Sequence, residues 1–246
     1  MARTRRKRSP IKRAIGELRY WLGWAMRRVI WIAIIAGVIF ILWQRDMLSL
    51  PVAMLDPTSN AAFERWVDDD PRRQEEYAAF EAFLNEQGVG EVVSAWQLAR
   101  VDKDYANRCN LEVWRLPPRE LWPNVVPALR LVRDHIVPAM GEVEVQSSYR
   151  SPELNVCAGG AARSRHISFE ALDLYLVDKP DDLETFYWQL CEVQENAGPQ
   201  SSMGLGAYYD ASDPFYNPEG RFHIDAAGYR SWGRSYTSAT SICPRY

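Results

Sequence analysis

His166, Asp173 and His223 are the residues of this sequence whose types and spacing could do chemistry. They lie in Ser164-Arg165-His166-Ile167-Ser168-Phe169-Glu170-Ala171-Leu172-Asp173 and in Phe222-His223-Ile224-Asp225. Two imidazoles and one carboxylate form a three-ligand set of the kind catalytic zinc uses, with a fourth position open to water. The chain has three histidines in all, and two of them fall in these segments. Zinc lowers the pKa of its water to about 7, so such a set implies hydrolysis at neutral pH.

The neighbouring residues fit that chemistry. Asp173 stands among Ala171, Leu172 and Leu174 in a run, residues 170–176, that reads as a strand. A carboxylate buried there is costly unless it is paired or bound to a metal. His223 and Asp225 are two apart in another strand pattern and share a face. Asp225 either accepts a proton from the attacking water or orients a ligand imidazole. His135, the third histidine, falls on a helical pattern and is read as structural.

The elements that must position these residues alternate irregularly. Residues 61–100 carry Tyr77, Phe80, Phe83 and Leu84 at helical spacing, with a start at Asp68-Asp69-Asp70-Pro71 and a break at Gly88-Val89-Gly90. A second helix is predicted from near Asn124, with Val126, Leu129, Val132 and Ile136 on one face and Pro138 as its end. Val143, Val145 and Ser147 alternate with Glu142, Glu144 and Gln146 as a strand. A short helix follows from Pro152 to the Gly159-Gly160 turn. Asp181 and Asp182 cap a helix with Leu183, Phe186, Tyr187, Leu190 and Gln194 on its pattern, stopped by Gly198-Pro199. Residues 203–209 and 221–226 read as further strands. Helices and strands mixed without a regular βαβ repeat predict an α+β fold with a small, mostly antiparallel sheet and flanking helices.

Charge and hydropathy add a topology. The chain carries a net −3, yet residues 1–28 hold ten Lys/Arg and one Glu, so a +9 head precedes a −12 body. Residues 29–43 contain no charge. Extended over residues 26–45, with Arg27, Arg28 and Arg45 snorkelling outward, this run reaches the roughly 20 residues a membrane helix needs. Clustered basic residues before it hold the N-terminus in the cytoplasm. A cleaved signal peptide is the rival reading, but residues 48–54 offer no small-x-small site. A basic head directly before such a span argues against nucleic-acid binding. The expected organisation is a basic cytoplasmic tail over residues 1–25, an anchor over 26–45, a linker and helical stalk or pack-on segment over 46–106, and a catalytic domain over 107–246. Cys109, Cys157, Cys191 and Cys243 then lie outside the cytoplasm and form two disulfides. Of three connectivities, Cys109–Cys157 with Cys191–Cys243 is the pairing taken.

Taken in order, Ser148-Tyr149-Arg150-Ser151-Pro152-Glu153-Leu154-Asn155, Gly159-Gly160, Ser164-x-His166, Ala171-x-Asp173 and Phe222-His223-x-Asp225 resemble peptidase family M15. These are zinc D-Ala-D-Ala carboxypeptidases and related peptidoglycan peptidases, with a fold akin to the Hedgehog signalling domain. The resemblance covers roughly residues 110–235. It implies Zn2+ held by His166, Asp173 and His223, with peptidoglycan stem peptides as substrate. It places Arg150 at the substrate, gripping a carboxylate or polarising the scissile carbonyl, with Ser164 in support. Two positions depart from the family pattern. Phe169 stands where glycine is common, and Gly220 stands where many members carry an acidic base. Asp225 is therefore the first candidate for that base and Glu219 the second. The expected function is a membrane-anchored zinc peptidase with its catalytic domain in the periplasm. The alternative is a non-catalytic, zinc-containing protein that binds or scaffolds peptidoglycan.

Overall fold

The computed structural model describes residues 10–44, 56–213 and 216–244. Most of the basic tail's charge cluster (residues 1–9), the expected anchor end at residue 45 and the linker to residue 55 lie outside them. Helix α1 (Pro10–Gln44) contains an apolar stretch, Trp21–Ile41, of 21 residues with mean hydropathy 1.9 and none of it buried. By length and composition this stretch can cross a membrane. It starts five residues before the expected anchor and, like it, includes Arg27 and Arg28.

Residues 57–246 form one compact unit, so residues 57–106 fold together with the expected catalytic domain. Its first helices start where local chemistry dictates. Ser59 caps α2 (Asn60–Asp68) by accepting from the Ala62 amide, and Asp70 caps α3 (Pro71–Glu86) by accepting from the Arg72 amide at 2.9 Å. Pro71 occupies the first position of α3, where its missing N–H has no partner to lose. Phe80 and Leu84 point from α3 into the main core, beside Trp122, Leu129, Val145, Leu172 and Leu174.

Short helices α4 (Ala95–Leu98) and α5 (Lys103–Cys109) come next. Helix α6 (Trp122–Leu131) runs into a π-helical turn (Val132–Ile136) and then α7 (Val137–Met140). Pro138 therefore does not end the helix as expected. A proline ring clashes with the carbonyl four residues back in a regular α-helix; the wider π-helical turn precedes Pro138 here, and the helix continues to Met140. His135 sits in this turn, half-buried and away from the other two histidines.

The sheet has five strands in the order β1-β2-β4-β3-β5. They are β1 (Val143–Ser147), β2 (Ala171–Leu176), β3 (Gly204–Ala207), β4 (Phe222–Asp225) and β5 (Arg230–Trp232). All neighbours are antiparallel except β3 and β5, which makes the fold α+β with a mixed, mostly antiparallel sheet. Two more helices flank it: α8 (Pro152–Cys157), capped by Ser151, and α9 (Leu183–Ala197), capped by Asp182. The outer edge of β1 is covered rather than left bare. Gln97 accepts from the Val145 amide at 2.9 Å, Arg100 donates to the Val145 carbonyl and pairs with Glu144 at 2.8 Å, and Ser148 donates to the Leu98 carbonyl at 2.6 Å. An edge satisfied in this way cannot recruit another strand.

Two disulfides, Cys109–Cys157 and Cys191–Cys243, have the expected pairing. The first ties α5 to α8, and the second ties α9 to the C-terminal segment.

Candidate metal centre

The sheet register assembles the centre. Ser147 pairs with Asp173, Asp173 with His223, His223 with Gly206, and Gly206 with Trp232. One row across five strands thus brings Asp173 beside a histidine fifty residues away. Two positions along β4, Asp225 stands opposite Ala171 and Gly204, and Gly204 opposite Arg230. Because side chains alternate along a strand, both rows share one face.

His166 arrives from a loop instead of a strand. The loop is clamped by Arg150 N–H to the His166 carbonyl at 3.0 Å, Ile167 N–H to Ser164 at 3.2 Å and Glu170 N–H to Arg165 at 2.9 Å. Its Nδ1 meets the Ser148 carbonyl at 2.6 Å, which fixes that nitrogen as the donor and turns Nε2 toward Asp173 at 3.3 Å.

His166, Asp173 and His223 are all buried, and one ligand atom from each lies within 4.8 Å of the others. Three ligand atoms converging in a buried place could hold a metal ion. Two nitrogen donors and one oxygen suit a borderline divalent ion of the zinc type, so these residues fit a metal. The protonation of two of the trio agrees; for His223 burial opposes the charged form, but its bonds to Asp173 and Asp225 raise its pKa, so a metal would have to displace a proton there. Burial, reinforced by the Arg150 charge, drives His166 down to about 4, which keeps it a neutral ligand at pH 7. Burial opposes the Asp173 charge, but His166, His223 and Arg150 together hold its carboxyl well below the usual range.

Around the trio, most polar groups have a defined partner. Arg150 spends Nη2 on Asp173 at 2.6 Å and Nε on the Ser147 hydroxyl at 3.2 Å. Its Nη1 has no protein partner among the described residues. His223 presents Nδ1 to Asp173 at 3.0 Å and Nε2 to Asp225 at 3.1 Å. Asp225, with no exposed surface, also receives both terminal nitrogens of Arg230, at 2.9 and 2.7 Å, and the Ala227 amide at 2.8 Å. Burial opposes its charge too, yet His223 and Arg230 keep it far below the normal carboxylate range. This packing requires glycine at 204, where a Cβ would sit 2.5 Å from Arg230 Nη1 and 2.6 Å from Asp225 Oδ1.

The centre opens into a cleft of about 490 Å³. Arg150, Ser164, His166, Asp173, His223 and Asp225 all line it, so the structure brings together every expected site residue but one. Glu219 does not line the cleft; its carboxylate pairs with Lys179 at 3.1 Å in an exposed contact. Gly220 explains the separation: with φ at 73° and its amide bonded to the Asn217 carbonyl, it turns the chain just before β4. Tyr105, Tyr208, Arg221, Arg230 and Trp232 are among the wall residues that the sequence reading missed. Arg221 carried a legible signal, since positions 221, 223 and 225 alternate onto one face. Tyr105 carried none. It reaches the cleft from α5, with Arg150 stacked 5.1 Å over its ring.

Residues 115–207 match the family model described as Peptidase M15, so the chain carries a Peptidase M15 domain there. That span holds Arg150, His166 and Asp173 and ends before His223, which β4 supplies. No curated protein and no solved structure matched the chain.

Proposed function

We propose that this Peptidase M15 domain belongs to a membrane-anchored zinc peptidase that hydrolyses peptidoglycan stem peptides outside the cytoplasm. The observation that carries the reading is the buried convergence of His166, Asp173 and His223 in a cleft of peptide-accommodating size. The apolar helix at Trp21–Ile41 and two disulfides support an extracytoplasmic place for residues 57–246, and the basic tail supports a cytoplasmic N-terminus.

His166, Asp173 and His223 would hold the zinc. Bound there, zinc supplies Lewis acidity and a hydroxide nucleophile at neutral pH. Arg150, locked by Asp173 and Ser147, keeps Nη1 available to polarise a scissile carbonyl. Ser164 offers a hydroxyl to the substrate backbone. Asp225 orients His223: it accepts from Nε2 and leaves Nδ1 facing the ligand trio. A carboxylate gripped by a guanidinium and an amide is a weak proton acceptor, so the geometry supports orientation over general-base work. Asp225→Asn is accordingly expected to weaken zinc binding by about 10–100-fold, as loss of such orienting partners does. Chelator competition measures this, and unchanged affinity removes the orienting role.

The full-length protein in detergent, loaded with zinc, should release D-alanine from stem peptides or cleave them internally, and should stop when chelator is added. Turnover that survives His166→Ala overturns the proposal. One observation favours a second reading: among the described residues, Asp173 and Asp225 are the cleft's only carboxylates, and both are committed. On that reading the protein binds zinc and muropeptide without turnover. One equivalent of zinc with binding but no product would decide for it.

A further inference from the structure

The cleft contains more guanidinium than its own acids use. Arg150, Arg163, Arg165, Arg221 and Arg230 all line it. Three are committed: Arg150 to Asp173, Arg165 to Glu170 and Arg230 to Asp225. Arg163 is exposed, and a solvated arginine needs no explanation. Arg221 is different. It is half-buried, stacked with its guanidinium 4.9 Å over the Tyr208 ring, hydrogen-bonded to the Tyr105 side chain and attracted by the Asp173 charge, with no ion-pair contact to a carboxylate among the described residues. It immediately precedes β4 and alternates with His223 and Asp225, so it stands on the same face as the ligands. Desolvating a cation without an ion-pair partner is costly, and an aromatic face recovers only part of that cost. A positive group so placed, beside a trio that would hold a cation, favours an anionic ligand.

We propose that Arg221 forms a subsite for a carboxylate of the substrate, so that the cleft selects peptides with a free carboxylate close to the scissile bond. The inference rests on the reading of the cleft as a peptide site and deepens it. Arg150 cannot serve the same purpose as well, because its Nη2 and Nε are already bonded to Asp173 and Ser147 and it lacks a free fork. Arg221 presents a planar fork that can pair bidentately. The carboxylate has two sources in stem peptides, the C-terminus and an internal acidic residue, and the two correspond to carboxypeptidase and endopeptidase action.

Calorimetry on the full-length, zinc-loaded protein in detergent separates them. The probes are a blocked Lys-D-Ala-D-Ala peptide as free acid and as C-terminal amide, and an amide-terminated stem tetrapeptide with internal Glu or Gln. The unaltered protein should bind one acid member roughly 10–100-fold more tightly than its neutral counterpart, the range expected for a charge-assisted pair. Preference in the first pair identifies the terminal carboxylate, and preference in the second the internal one. Arg221→Gln should collapse the ratio toward one, and Arg221→Lys should restore part of it. Zinc stoichiometry and circular dichroism establish that each variant is folded and loaded. Equal binding of both members in both pairs by the unaltered protein, or a ratio that survives Arg221→Gln, overturns the subsite. Selective binding without hydrolysis keeps the subsite and counts against the peptidase reading instead.

Discussion

Asp173→Ala is expected to remove metal binding and turnover together and to destabilise the compact unit by about 3–5 kcal/mol, the usual cost of breaking a buried ion pair. Three groups lean on this carboxylate: Arg150 at 2.6 Å, His223 at 3.0 Å and His166 at 3.3 Å. The side chain is 4% exposed, so water cannot replace it. Alanine leaves the Arg150 guanidinium, itself only 9% exposed, with the Ser147 hydroxyl as its remaining partner. For a unit of this size each kcal/mol shifts the melting temperature by roughly 2–4 °C, so a drop of about 6–20 °C is the readout. Asp173→Asn separates the two losses. It preserves shape and one acceptor oxygen, so it should lose zinc affinity beyond the 10–100-fold typical of an outer partner while costing less stability than alanine. One equivalent of tightly bound metal in Asp173→Ala would remove the carboxylate from the ligand set.

The ligands were legible before the fold because their chemistry is local. An acid inside Ala171-Leu172-Asp173-Leu174 and a histidine on a Gly/Ser/Arg loop are conspicuous in any reading. Helix starts were legible for the same reason: Asp70-Pro71 and Asp182 act within three residues of themselves. What escaped was set by partners far along the chain. The pairing of Asp173 with His223 is a matter of register between β2 and β4, which no window of sequence contains. Strand β5 is three residues long and pairs in parallel, too short to display an alternation. The two acids offered as a base show both sides of the problem. Asp225 alternates with His223 and was found at the centre, but Arg230, five residues on, changes what it can do there. Glu219 lies one residue from the position where the family pattern places an acid, yet a glycine turn separates it from β4. Proximity in sequence to a motif carries little weight across a backbone reversal.

Phe169 presents the clearest conflict between local preference and tertiary demand, and it leads to the second large effect. It lies in the left-handed region with φ at 58°, the conformation glycine adopts freely, and it sits between the ligands His166 and Asp173. Phenylalanine here adopts glycine's backbone geometry, at about 1–2 kcal/mol. The offset is visible in the core. Its ring is fully buried, 6.3 Å from both Phe80 of α3 and Tyr149. Full burial of such a side chain contributes about 1.5–3 kcal/mol, enough to exceed the strain. Phe169→Ala removes the ring and keeps the strain, so it should destabilise by about 3–5 kcal/mol. Phe169→Gly removes both, and should be the milder change by about 1 kcal/mol, reversing the usual order in which glycine is worse than alanine. Urea denaturation of the two variants measures the difference, and alanine proving the more stable would show that the backbone here is not strained. Because the Phe169 amide bonds to the His166 carbonyl at 3.2 Å, the same pair tests whether the core holds the metal loop: zinc affinity should fall more in Phe169→Ala than in Phe169→Gly.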